Sequence, residues 1–274
     1  MGGLQRGRYR APTIFEYMDR STGIAHNHDV MLAILVFLIG LVLGSFANVV
    51  IYRLPRGESI LFPGSKCPHC GHPIRPYDNI PVVSYLLLRG RCRDCGALIS
   101  LRYPLVELVA GIFLLLLYRR YGFSPAFLGS SLFSLMLLAI FFIDLDHRII
   151  PNLLTYPGIA AGLIFSTLTG RLTNAIGAAL GAGLFFVVVI LVSRGGMGWG
   201  DAKLGAMMGA FLGWPLIAVA LVISFVFGGI VGLLLVLLRL RTRKDVIPFG
   251  PALALGGMIA LLWGEALLRW YLGR

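Results

Sequence analysis

Apolar residues fall in long runs separated by short polar stretches. The first run extends from about residue 31 to 52, and others follow at about 104–118, 126–143, 152–169, 174–193, 203–213, 215–238 and 251–268. At 1.5 Å per residue, about 20 residues cross a hydrocarbon core of about 30 Å. Seven runs come close to that length. The run at 203–213 is too short alone and reads as tilted, re-entrant or continuous with its neighbour. The pattern predicts an all-α polytopic membrane protein of about eight transmembrane helices, with seven as the fallback.

One polar stretch is longer than the rest. Residues 53–103 separate the first span from the second and hold all four cysteines and several prolines. Residues 1–30 form a mixed polar N-terminal arm with Arg6, Arg8, Arg10 and Arg20. The arm has no apolar segment followed by a small-residue cleavage site, so a removable signal peptide is not expected. No repeat of about 20–50 residues and no low-complexity tract is visible. The organisation is one membrane domain, made of span 31–52 and region 104–274, with a sizeable polar insertion at 53–103.

Composition agrees with a lipid solvent. The chain is 58% hydrophobic and 13% charged, about half the charge of a soluble domain. Many of its 35 glycines lie inside apolar runs, where small residues let helix backbones approach closely. An ordinary soluble enzyme, a disordered chain and a secreted disulfide scaffold are all excluded. The net charge of +12 could suggest nucleic acid, but the basic residues sit between spans, where they set orientation and meet anionic headgroups. If 53–103 is cytoplasmic, that side carries 15 of the 24 Lys and Arg, including Arg148, Arg194, Lys203 and the cluster from Arg239 to Lys244. The bias predicts the N-terminus outside and the 53–103 loop inside, with no nucleic-acid partner.

Within the loop, Cys67-Pro-His-Cys70 and Cys92-Arg-Asp-Cys95 form two Cys-x-x-Cys knuckles. Four thiolates in this spacing can close tetrahedrally around one Zn²⁺. Gly71 and Gly96 follow the knuckles and suit tight turns that aim backbone amides at sulfur. A closed Cys₄ site leaves no open coordination position, so the metal is structural. His69 and His72 are neighbours of the site. Two disulfides are the competing reading, which a cytoplasmic loop disfavours.

Acids beside apolar runs are costly and default to a functional hypothesis. Asp144 and Asp146 end the 126–143 span, and Asp201 in Gly198-Trp-Gly-Asp201 precedes the 203–213 run. Two carboxyls brought together can share a proton: one then activates water while the other polarises a peptide carbonyl. Structural alternatives exist for each. Asp144 or Asp146 can pair with Arg148, and Asp201 can cap a helix or pair with Lys203. Glu107 is either a helix-start acid or a substrate-binding group, and Asn48 is either interhelical glue or part of a site.

These residues carry a resemblance. Gly44 to Pro55, the two knuckles, Arg102-Tyr-Pro-Leu-Val-Glu107, Asp144 to Thr155, Gly198-Trp-Gly-Asp-Ala-Lys203 and Ile247-Pro-Phe-Gly-Pro251 occur in an order that resembles the type IV prepilin peptidases. These are the prepilin leader peptidase/N-methyltransferases, of the GxGD-type intramembrane aspartic proteases. The resemblance implies a bacterial inner-membrane enzyme with an intramembrane aspartic peptidase domain at 104–274. Asp201 and Asp144 would be its catalytic acids, with Asp146 as the alternative first aspartate. It implies removal of the leader from type IV prepilins and type II secretion pseudopilins at the cytoplasmic face. Methylation of the new N-terminus with S-adenosylmethionine would follow, an activity linked with the 53–103 loop. A peptidase without methyl transfer, a proton-coupled transporter with a zinc-stabilised cap, and a non-catalytic assembly scaffold are the alternatives.

Overall fold

The computed structural model describes residues 14–193, 196–240 and 248–273, with side-chain surroundings from residue 29 onward. Most of the arm at 1–13, Arg194, residues 241–247 of the basic cluster, and Arg274 lie outside the described residues. The chain is helical, with no strand among the described residues. In chain order the helices are α1 (Ile14–Arg53), α2 (Val83–Leu87), α3 (Arg102–Tyr121), α4 (Pro125–His147) and α5 (Asn152–Leu168). They continue with α6 (Leu172–Val192), α7 (Trp199–Leu212), α8 (Leu216–Leu237) and α9 (Gly250–Tyr271).

Local sequence explains the boundaries that matter for the site. Ser124 caps α4 by accepting the Phe127 N–H at 3.2 Å, with Pro125 in the first turn, where its missing donor costs nothing. At the other end, Arg148 takes a left-handed conformation and its N–H returns to the Asp144 carbonyl. Helix α7 begins after Gly198 and stops at Gly213, whose φ is +68°, a value a residue with Cβ rarely adopts.

Five helices are long and apolar enough to cross a membrane: the part of α1 from Asp29 onward, α4, α6, α8 and α9. The expected all-α membrane architecture is therefore borne out, although a count of eight crossings is not. Helix α5 is apolar but has 17 residues, and α7 has 14, about 21 Å at 1.5 Å per residue. Helix α7 is short because protein, not lipid, surrounds it. Leu204, Met207, Met208 and Ala210 are fully buried among α5, α6 and α9.

The closest pairings are α1 with α3, α6 with α7 and α8 with α9. Glycines create the first of these, as their placement in apolar runs suggests. A Cβ on Gly40 would lie 2.7 Å from the Gly111 Cα, and one on Gly44 2.7 Å from the Glu107 Cα. Helices α4 and α9 also pack together, and α7 touches both. These contacts bring the end of α4 and the starts of α7 and α9 to one end of the bundle. The 53–103 loop and the start of α3 lie at that same end, since Arg102 pairs with Asp146.

Candidate active site

Asp144 occupies the last turn of α4 and is 5% exposed; Asp201 occupies the first turn of α7 and is 7% exposed. Each carboxylate is fixed by a backbone donor. Asp144 Oδ2 accepts the Gly250 N–H at 2.9 Å, from the start of α9. Asp201 Oδ2 accepts the Gly198 N–H at 3.1 Å, reaching back over the start of its own helix. Helix N-termini carry partial positive charge and favour carboxylates. Asp201 has that environment from α7, while Asp144, at the unfavourable C-terminal end of α4, receives it from α9. The helix ends that carry them adjoin, since α4, α7 and α9 pack against one another.

The structural alternatives separate cleanly. Asp201 does cap its helix, as a first-turn acid can, but it does not pair with Lys203. The Lys203 ammonium instead donates to Asn152 Oδ1 at 2.8 Å and lies over the Tyr156 ring. Neither Asp144 nor Asp146 forms an ion pair with Arg148 among the described residues. Asp146 pairs with Arg102 and is partly exposed. At two positions beyond Asp144, about 200° round the helix, it points away from Asp201.

Two functional-end residues gain meanings the sequence did not supply. Gly250 is recognisable in sequence only as part of Ile247-Pro-Phe-Gly-Pro251; its role as a donor to Asp144 depends on α9 reaching back to α4. Glu107 is neither a simple helix-start acid nor aimed at the aspartates. Its Oε2 accepts the Val82 N–H at 2.8 Å, tying the polar loop to α3. Asn48 holds α1 to α3 by donating to the Tyr103 carbonyl at 3.0 Å.

The four cysteines converge. Their sulfurs all lie within 4.8 Å of one another, with Cys67 Sγ 3.9 Å from Cys95 Sγ, and none is disulfide-bonded. A tetrahedral Zn–S distance of about 2.3 Å requires sulfurs about 3.8 Å apart, so this set fits a metal. The two knuckles share one build. Cys67 N–H donates to the His72 carbonyl and Cys92 N–H to the Ala97 carbonyl, at 2.9 and 2.8 Å. Gly71 and Gly96 have φ of +75° and +70°, so glycine is required at both turns. The backbone of Cys70, more than the opposing effect of burial, holds the Cys67 thiol down to about 6. Arg93–Asp78 at 2.7 Å and Arg75–Asp94 at 3.7 Å stitch the knuckles together.

A helical bundle with two buried carboxyls presented by separate helices, beside a four-thiol loop, has the build of a polytopic membrane enzyme. Residues 38–121 match the bacterial peptidase A24 N-terminal domain, and residues 131–233 match the type IV leader peptidase family. Similar proteins include a prepilin leader peptidase/N-methyltransferase from Aeromonas hydrophila, 40% identical over 91% of this chain and 97% of its own. One of the same name from Pseudomonas aeruginosa is 37% identical over 90% and 95%. Another, from Legionella pneumophila, is 35% identical over 90% and 96%. The chain belongs to the type IV leader peptidase family. It is a multi-pass inner-membrane protein, as its apolar helices and relatives indicate. No solved structure matches it at a significant level.

Proposed function

We propose that this enzyme removes the leader of type IV prepilins and type II secretion pseudopilins and then methylates the exposed N-terminal amine, using S-adenosylmethionine. The observation that carries the peptidase reading is that Asp144 and Asp201 are both buried on the adjoining ends of two packed helices, each anchored by one backbone N–H. In that reaction one aspartate is ionised and takes a proton from water. The other is protonated and donates to the scissile carbonyl oxygen as it becomes tetrahedral. The water oxygen bonds to the carbonyl carbon. As the C–N bond breaks, the proton taken from water passes to the leaving amine and the carbonyl proton returns to the second aspartate, freeing the mature N-terminus. A backbone-anchored pair needs little reorganisation as charge develops.

The other assignments rest on the charge bias and the thiol cluster. The 53–103 loop faces the cytoplasm and the N-terminus lies outside, with about eight helices forming the membrane domain. Cys67, Cys70, Cys92 and Cys95 hold a structural Zn²⁺ that closes the loop and takes no part in peptide cleavage. S-adenosylmethionine supplies a methyl group activated by its sulfonium. A basic leader meets anionic headgroups at the cytoplasmic surface while the apolar pilin helix enters beside the spans.

The test uses membranes carrying wild type, Asp144→Asn or Asp201→Asn, incubated with a prepilin. Each substitution is expected to lower leader removal by about 10²–10⁴-fold. Cleavage at the wild-type rate in both variants would overturn the assignment.

A further inference from the structure

A second polar site lies on the other side of α4. The ends of α1, α3 and α4 enclose a cavity of about 170 Å³, several times the share of one water, about 30 Å³. Its lining includes Asn48, Tyr52, Arg56, Arg102, Tyr103 and Asp146. Asp146 belongs to this cavity and Asp144 does not, because two positions along a helix turn a side chain to nearly the opposite face.

The donor set is specific. Arg102 is already neutralised by Asp146 and rests over the Phe142 ring. Arg56 has no acidic partner among the described residues. Its guanidinium donates to the Tyr52 carbonyl and stacks 4.0 Å over the Tyr52 ring. The cavity therefore offers one cation without an acidic partner, Arg56, while its single carboxylate is already paired with Arg102. The partly exposed Tyr52 and Tyr103 add aromatic faces for a planar group or an onium centre.

We infer that this cavity binds the methyl donor, with the donor's carboxylate on Arg56 and its sulfonium end against the Tyr52 and Tyr103 rings. S-adenosylmethionine has the matching parts: a carboxylate for Arg56, and an onium centre and a planar base for the aromatic faces. The volume accommodates its amino-acid end. This placement rests on the methyl-transfer reading above. It puts the two reactions on opposite faces of one helix end. The new amine must leave Asp144 and pass round the end of α4 before its nitrogen takes the methyl group from sulfur, losing a proton to water.

The test uses the full-length enzyme in detergent micelles. S-adenosylmethionine binding is measured by calorimetry, and the KM for the donor by transfer of labelled methyl to mature pilin. Arg56→Gln is expected to raise both Kd and KM about tenfold or more, with kcat at saturating donor largely kept. Arg171→Gln, at the other end of the bundle, should leave both unchanged. Ultraviolet crosslinking of labelled donor to wild-type enzyme should mark peptides containing residues 48–56 or 100–103, which keeps the test decisive if Arg56→Gln folds poorly. Wild-type affinity in Arg56→Gln, or crosslinks only elsewhere, overturns the placement while methyl transfer stands. A wild-type enzyme that cleaves prepilin but neither binds donor nor transfers methyl overturns the methyl-transfer reading as well. Displacement of bound phosphatidylglycerol, with no donor bound, would assign the cavity to a lipid headgroup and overturn the inference.

Discussion

Asp144 Oδ2 accepts the Gly250 backbone N–H at 2.9 Å, joining the end of α4 to the start of α9 across 106 positions of sequence. The contact has no tolerance for a side chain, since a Cβ at Gly250 would lie 2.5 Å from that oxygen. Gly250→Ala must therefore displace the carboxylate or the helix. Leader removal is expected to fall about 10²-fold, the cost of a misplacement of about 1 Å. Unchanged helicity by circular dichroism would show that the loss is local, and unchanged cleavage would mean that Asp144 does not need this anchor.

Asp146 provides the complementary case. Its ion pair with Arg102 is partly exposed, and such pairs contribute only about 0–1 kcal/mol. Asp146→Asn is expected to keep leader removal within severalfold of wild type, whereas Asp144→Asn is expected to lower it by about 10²–10⁴-fold. The comparison measures which acid works with Asp201. Activity surviving in Asp144→Asn but lost in Asp146→Asn would reverse the assignment.

The sequence disclosed the membrane, the four thiols and three candidate acids, because each departs from its surroundings locally. An acid beside an apolar run and a Cys-x-x-Cys turn are visible without tertiary information. Choosing between Asp144 and Asp146 was beyond local pattern, since both end the same helix and only the placement of α3, α7 and α9 tells their faces apart. Lys203 looks like a partner for Asp201 at two positions' distance, yet helix geometry sends it to Asn152. Helix α7 looked like a deficient span because length reports crossing only when lipid surrounds the helix. Gly250 was the hardest to see: its use depends on a hydrogen bond that no spacing encodes.

Glu107 is expected to be the hinge point between loop and bundle. Val82, whose N–H it accepts, has φ of +61°, an unusual value for a β-branched residue. Glu107→Ala leaves that N–H without its partner, at a cost of about 1–3 kcal/mol, and removes what holds the strained turn. The variant should show faster proteolysis within residues 76–90, while Glu107→Gln, which retains an acceptor oxygen, should resist nearly as well as wild type. Equal protection in Glu107→Ala would show that the loop docks by other contacts.

The metal should matter more to the loop than to the dyad. Cys95→Ser removes one of four converging ligands. A structural zinc supplies folding energy to a segment with little core of its own. The expected result is one zinc per chain in wild type by metal analysis and a large loss in Cys95→Ser. Methyl transfer should fall further than leader removal. Equal metal content in both proteins would refute the four-thiol site.

Acid should loosen the same loop through a different pair. The Arg93 guanidinium, hydrogen-bonded to Asp78, holds that carboxyl below its ordinary value. A carboxyl so depressed binds its proton less readily folded than unfolded. Its contribution is therefore fully present above the ordinary value and is lost as pH falls through the lower folded one. Arg93→Gln removes that contribution at every pH. Wild type should thus exceed Arg93→Gln in loop stability at about pH 6, and the difference should be smaller at about pH 3. Paired thermal melts of the loop at the two pH values check this, with zinc-thiolate protonation common to both proteins. A difference that grew on acidification would reverse the sign and remove Asp78–Arg93 as the link between the knuckles.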